Sequence, residues 1–279
     1  MGEQARTANL IDPATLRAEL SRGSLVVLDV RHTTAGDLPD PAAYRRGHIP
    51  GAVFLDLDTD LAGVSTGENG RRPLPGAEEF QKTVRRLGIA ADTPVVVYGA
   101  TRSAAPARAW WLLRWAGVQS VRLLDGGLDG WTAHGGALRD GDEATTRAES
   151  DFVITPGGLP VIELAEVPGL AERGQLFDAR PAAKFSHPTD TDAGHIPGAR
   201  SAPVGASFDE SGYLLPDDQL RERFSRFGVP PEGEPAAYCG TGVAAALEVF
   251  VLGLLGIRAR LYVGSASEWT ADPARVLAK

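Results

Sequence analysis

The sequence predicts an α/β fold built twice: two domains in tandem, each a mostly parallel central sheet flanked by helices. The first observation behind this is a repeat. Gly47-His48-Ile49-Pro50-Gly51-Ala52 returns as Gly194-His195-Ile196-Pro197-Gly198-Ala199. The second is that other landmarks recur around it in the same order. Leu28-Asp29-Val30-Arg31 precedes the first copy and Phe177-Asp178-Ala179-Arg180 the second; residues 95–101 match 236–241, and 125–131 match 263–269. Two copies are too few for a solenoid, so the repeat reads as a duplicated domain. The third observation is the alternation of short β-rich runs with longer runs of helical apolar spacing, the pattern of a parallel sheet covered by helices.

In the first copy, residues 25–29, 95–98 and 121–124 are β-rich and read as strands. Residues 78–87 and 107–116 have helical spacing and stop at Gly88 and Gly117, both at C-cap positions. In the second copy, 176–179, 236–238 and 260–263 read as strands, with helices at 217–227 and 242–255. The expected division is a first domain over 1–140, a linker over 141–158 and a second domain over 159–279. The linker is polar and carries Gly141, Pro156, Gly157 and Gly158 with little apolar periodicity. Residues 59–75 form a long irregular segment inside the first domain, and loops of that length are usually functional or mobile.

A content of 43% hydrophobic and 23% charged residues is that of a soluble globular protein. The net charge of −8 argues against a nucleic-acid binder working by overall electrostatics, so the basic pairs Arg45-Arg46, Arg71-Arg72 and Arg85-Arg86 read as solvated surface. The N-terminal residues lack the apolar core of a signal peptide. The most apolar stretch, 242–257, is interrupted by Glu248 and too short for a comfortable membrane span. One cysteine rules out an intramolecular disulfide. The expectation is a cytoplasmic protein with no membrane and no nucleic-acid partner.

That cysteine, Cys239, lies where a predicted strand ends, a glycine-rich loop turns and a helix begins. Sheets of this kind bind ligands at the carboxyl ends of their strands. The loop Gly240-Thr241-Gly242-Val243-Ala244 would turn several backbone N–H groups, at the positive end of a helix dipole, toward its centre. An anion is favoured there, and the thiolate is the nucleophilic form of cysteine. A lone cysteine is also commonly a small buried apolar residue, and the loop by itself leaves both readings open. The repeat bears on the choice, because Gly99 holds the equivalent place in the first copy. His48 and His195 occur in both copies although only one has a cysteine, so they read as structural.

The paired Gly-His-Ile-Pro-Gly-Ala segments, the loop from Cys239 to Ala244, and Val263-Gly264-Ser265 followed by Glu268-Trp269 together resemble the two-domain rhodanese family of sulfurtransferases. The resemblance covers residues 9–275. It implies a catalytically silent first domain and a second domain whose Cys239 takes a sulfane sulfur as a persulfide. A thiophilic acceptor, cyanide or a thiol, then removes it, and a thioredoxin-like reductant is among the implied partners. The loop N–H groups would stabilise the anionic sulfur, and the double displacement implies ping-pong kinetics. No cofactor and no metal are implied.

In this family a Cys-Arg-Lys-Gly loop goes with thiosulfate and a Cys-Gly-Ser-Gly loop with 3-mercaptopyruvate. Cys239-Gly240-Thr241-Gly242 is similar to the second, with Thr241 keeping the hydroxyl; Ala244 replaces the usual threonine. After Asp178 and Arg180, which the resemblance makes supporting residues, the family places a donor-binding arginine; here it is Lys184, which keeps the charge and loses the bidentate grip. The segment 186–192 offers no counterpart for a second arginine. A histidine that relays a proton with an aspartate and the loop serine corresponds to Arg72, with Asp58 and Thr241. Arginine cannot relay a proton at neutral pH, so Arg72 either supplies the missing contact to the donor's anionic group from across the domain cleft or is ordinary loop surface. Ala266 stands where a large aromatic is frequent, and His32 where some relatives have tryptophan; His32 is either a border of the sulfur pocket or an exposed loop histidine.

Phosphatases of the same fold carry Cys-x5-Arg loops, and six residues after Cys239 stands Ala245. The expected activity is therefore transfer of sulfur from a small anionic donor, with 3-mercaptopyruvate favoured over thiosulfate. A degenerate, non-catalytic sulfur-binding module is the alternative.

Overall fold

The computed structural model describes residues 2–23, 25–32, 38–143, 147–186 and 193–279. The first half runs α1 (Gly2–Asn9), β1 (Leu10–Ile11), α2 (Pro13–Leu20), β2 (Val26–Asp29), α3 (Pro41–Arg46), β3 (Ala52–Phe54), α4 (Ala77–Arg86), β4 (Val95–Tyr98), α5 (Ala105–Trp115), β5 (Val121–Leu124) and α6 (Gly127–Ala133). The second half runs α7 (Val167–Glu172), β6 (Leu176–Asp178), α8 (Ala182–Phe185), β7 (Arg200–Ser201), α9 (Asp217–Arg226), β8 (Ala236–Tyr238), α10 (Val243–Leu254), β9 (Arg260–Leu261) and α11 (Ser265–Trp269).

Two parallel sheets form, ordered β1-β5-β4-β2-β3 and β7-β6-β8-β9. In each, the central strand that precedes the cradle loop is buried along its whole length, which is why β4 and β8 read as unbroken apolar runs rather than alternating ones. Strands β1, β3 and β7 have two or three residues, too few to show a period in sequence. The expected strand over 260–263 ends at Leu261.

The repeated Gly-His-Ile-Pro-Gly-Ala segment is a clamp on the strand that leads into each loop. In the first half, Arg31 is held by Asp29 and donates to Gly47 O at 2.8 Å, while Ile49 N donates to the Tyr98 hydroxyl at 3.1 Å. In the second half, Arg180 is held by Asp178 and donates to Gly194 O at 2.6 Å, and Ile196 N donates to the Tyr238 hydroxyl at 3.1 Å. The histidines belong to the same clamps. His48 stacks on Tyr44 and its Nδ1 meets Tyr44 O; His195 stacks on Phe185 and its Nδ1 meets Phe185 O.

Helices α5 and α10 follow the two equivalent loops and pack against each other, with Trp110 edge-on to Phe250 at 4.9 Å. Both are buried almost all round, the signature of a helix with protein on every side. One apolar cluster runs through both and joins the two halves. The connection does not hang free. Ser150 N donates to Arg85 O, Thr155 N to Ala116 O and Gly158 N to Trp115 O, so its polar backbone straps it to α4 and α5. Residues 144–146 of it lie outside the described residues.

Candidate active site

Cys239 follows β8 directly and is 3% exposed. Its loop is fixed from below by α11: Ala266 N donates to Cys239 O and Ser267 N to Gly240 O, each at 3.0 Å. Ala266, small and buried, therefore sits directly beneath the loop. Ser265 holds the sulfur end. Its Oγ accepts from Cys239 N at 3.1 Å, donates to Tyr262 O at 2.9 Å and lies 4.0 Å from Cys239 Sγ. To do this Ser265 adopts φ 55°, a left-handed conformation that costs a non-glycine residue energy.

The turn into α10 also needs a left-handed residue, and here it is glycine. Gly242 has φ 76°, and a Cβ on it would overlap Val263 O and approach Arg108 Nη1 to 3.1 Å. Among the described residues, the N–H groups of Gly240, Thr241 and Gly242 donate no hydrogen bond. With the N-terminus of the twelve-residue α10 behind them, they form a concave donor surface suited to an anion.

Above the loop lies a cleft of about 440 Å³ lined by Leu38, Asp58, Gly63, Val64, Ser65, Arg71, Arg72 and Thr241. All but Thr241 come from the first half of the chain. The sequence-derived trio meets here: Arg72 Nε donates to Asp58 Oδ1 at 2.6 Å, and Arg72 Nη1 lies 3.5 Å from Thr241 Oγ1. The long segment 59–75 makes this possible by crossing to the second domain, where Arg71 N donates to Ser267 Oγ at 3.0 Å. The Arg71 guanidinium stands over the loop, its Nη2 3.7 Å from the position of a Cβ on Gly240. Among the described residues it pairs with no carboxylate.

The remaining expected residues fall elsewhere. Lys184 is exposed on α8 and is not among the described residues lining the cleft. Residues 187–192, which include most of the segment read as lacking a second arginine, lie outside the described residues. His32 is half-buried in the first domain with Nδ1 3.4 Å from Ser103 Oγ, beside the cysteine-free loop. Asp178 and Arg180 form the clamp described above. Burial alone would pull Arg180 down, yet the Asp178 carboxylate outweighs it and holds the guanidinium above its ordinary pKa, with a smaller contribution from Cys239.

The equivalent loop of the first domain is closed. The turn Phe208–Leu214 of the second domain covers it: Arg102 donates to Asp209 O, Leu214 N donates to Asp125 Oδ1 at 2.9 Å, and the Tyr213 ring packs on Gly126 and Gly130. The space left there is about 30 Å³. Each domain thus covers the other's loop, and only the cover over Cys239 leaves room for a small molecule.

Sequence reasoning missed Arg71, Ser265 and Arg108. The first was visible only as a basic pair, the second only as part of a matched segment, and the third as one of two arginines in an otherwise apolar helix. Among the described residues no cluster of metal-ligating side chains occurs, and no helix is long and apolar enough to cross a membrane.

Comparison with known proteins agrees with this geometry. A model of the rhodanese-like domain matches twice, at residues 12–134 and 163–272. A Mycobacterium tuberculosis protein provisionally named a thiosulfate sulfurtransferase is 40% identical over 282 residues, covering 98% of this chain and 97% of that one. A Pseudomonas aeruginosa protein provisionally named a 3-mercaptopyruvate sulfurtransferase is 41% identical over 286 residues, covering 98% of each. Among solved structures, the 3-mercaptopyruvate sulfurtransferase SseA of Escherichia coli superposes with a TM-score of 0.81 at 31% identity, over 92% of this chain and 98% of that one.

Proposed function

The chain belongs to the rhodanese family of sulfurtransferases, and from that premise we propose a double displacement through Cys239. The division of labour is a silent domain over residues 1–140 and a catalytic domain over 159–279. The observation that carries the proposal is the loop itself. Three N–H groups without an acceptor surround the one cysteine, at a helix N-terminus, under a cleft with arginines on its far wall.

The favoured donor is 3-mercaptopyruvate. Its carboxylate pairs with Arg71 and Arg72, which brings its sulfur toward Cys239. Gly240, Thr241 and Gly242 carry no charge, so they suit a neutral carbon next to the sulfur better than a second anionic group. The Cys239 thiolate attacks the donor sulfur, an S–S bond forms and the C–S bond breaks. The electron pair leaves on carbon as the enolate, which takes up a proton to give pyruvate. Arg72 donates to Thr241 Oγ1, which leaves the threonine proton free to face the departing enolate. Arginine holds that hydroxyl; it does not relay the proton. Cyanide then attacks the outer sulfur and leaves as thiocyanate, regenerating the thiolate; a thiol, including that of a thioredoxin-like reductant, serves equally as acceptor. The first step needs a reduced thiol, which fits a reducing compartment such as the cytoplasm.

Thiosulfate is the second reading, because two adjacent cations also suit its dianion and a close relative bears that name. The test compares kcat/KM for the two donors with cyanide as acceptor. A higher value for 3-mercaptopyruvate is expected. The reverse order gives the donor assignment to thiosulfate, and no turnover with either identifies a non-catalytic module.

A further inference from the structure

Arg108 lies on α5, in the domain without the cysteine, and its side chain is fully buried. Its Nε donates to Leu61 O at 3.3 Å, and its Nη2 donates to Arg72 O and Pro73 O at 3.2 Å each. Its Nη1 is buried with no hydrogen-bond partner and lies under the turn at Gly242. Carbonyl contacts do not neutralise a buried guanidinium, and leaving one without a counter-charge is expensive. Two charged groups act on it. Burial pulls its pKa down to about 10; an anionic Cys239 sulfur opposes that fall and Arg72 adds to it. The unpartnered Nη1 of Arg108 lies at the turn of the loop that carries Cys239, where an anionic sulfur would serve as the counter-charge.

Resting on the sulfurtransferase reading, we propose that Arg108 is a positioning residue of the reaction, contributed by the silent domain. Its guanidinium supplies fixed positive charge beneath the Cys239 loop, and its Nη2 holds the backbone of the Arg72 turn over that loop. A purely structural tie would explain the three carbonyl contacts. It leaves unexplained a cation whose fourth face, at Nη1, is turned without a partner toward the loop. The arrangement also gives the silent domain a reason to persist. Arg108 under the cradle and Arg71 and Arg72 over it all belong to the half of the chain that carries no thiol.

The test uses the full chain and reads the electrostatic potential at Cys239 without depending on sulfur transfer. Alkylation rates are measured with iodoacetate, an anion, and iodoacetamide, its neutral analogue, and their ratio is compared between proteins. Arg108→Met is expected to lower that ratio by about fivefold, the effect of removing one unit charge near the sulfur in a medium of intermediate dielectric. Arg108→Lys keeps the charge and is expected to keep the ratio, while raising the donor KM because the fork on Arg72 O and Pro73 O is lost. Arg139→Met, which removes an exposed charge elsewhere, is expected to change neither. A folded Arg108→Met protein with the wild-type ratio overturns the proposal. Should that variant fail to fold, Arg108→Gln decides, since it keeps hydrogen-bond donors for the carbonyls and loses the charge; a wild-type ratio in that protein overturns the proposal as well. Wild-type protein that alkylates with the expected preference yet transfers no sulfur would refute the function and leave Arg108's role standing.

Discussion

Arg71 and Arg72 are neighbours in sequence but occupy different electrostatic settings. Arg72 is 8% exposed and tied to Asp58 and Thr241, so it is rigid and partly neutralised. Arg71 is exposed, and its guanidinium is available to a ligand. Replacing Arg71 with alanine is expected to raise the donor KM by about tenfold with little change in kcat, the size of one lost charge-assisted hydrogen bond. Arg72→Ala should raise KM and lower kcat together, because Thr241 loses its anchor; steady-state kinetics separate the two. Lys184→Ala serves as the comparison, with a smaller effect on KM. An unchanged KM in both arginine variants would show that the anion site lies elsewhere. At this scale the sequence was legible where the repeat or the family resemblance gave a residue its meaning. The glycine-rich cysteine loop stayed ambiguous until the repeat put Gly99 in the equivalent place, and Arg72, Asp58 and Thr241 came together only through the family resemblance. Arg71 did not stand out, because nothing in an Arg-Arg pair says which member faces a cleft. Ser265 did not either, since its role depends on a left-handed backbone that serine rarely adopts.

Helix α10 joins the site to the core, and its one acidic residue is out of place. Glu248 is fully buried, and neither carboxylate oxygen has a hydrogen-bond partner among the described residues. Burial pushes its pKa well above the ordinary glutamate value, against the pull of Arg223 and with a further rise from Asp178. A carboxyl whose pKa is raised on folding binds more protons folded than unfolded. Its contribution to stability is therefore present below the unfolded value and is lost as pH rises through the folded one. Thermal or urea unfolding is expected to show stability falling as pH climbs out of the carboxylate range, and Glu248→Gln should flatten that fall. An equally steep fall in the variant would assign it to other groups. In the sequence Glu248 looked like a break in an apolar run. It is instead a polar group carried inward by a helix packed on every side. Periodicity identified the helix, but burial on all faces removed the polar face that would have shown its orientation.

Over the whole molecule, the two domains share one apolar cluster through α5 and α10 and exchange covers over their loops. They are expected to unfold together, in a single calorimetric transition whose van't Hoff and calorimetric enthalpies agree. Trp110→Ala, at the centre of that contact, should cost about 3–5 kcal/mol. Two separate transitions in the unaltered protein would contradict this coupling. Duplication was plain in the sequence because four landmarks kept their order. The exchange of covers was not, since it joins segments such as 59–75 and 208–214 that have no shared pattern. It also supports the proposed silence of the first domain on a second ground besides the missing cysteine. Gly99 removes the nucleophile, and the Tyr213 turn fills the space a substrate would need, about 30 Å³ against about 440 Å³ over Cys239.

The central claim is that sulfur rests covalently on Cys239 between donor and acceptor. Intact-protein mass spectrometry after a brief exposure to 3-mercaptopyruvate, without acceptor, tests it most directly. The expected result is a gain of one sulfur atom on Cys239, matched by one equivalent of pyruvate and discharged as thiocyanate when cyanide is added. Cys239→Ala should show neither the gain nor turnover. Sulfur transfer persisting in that variant, in a chain with no second cysteine, would contradict the mechanism outright.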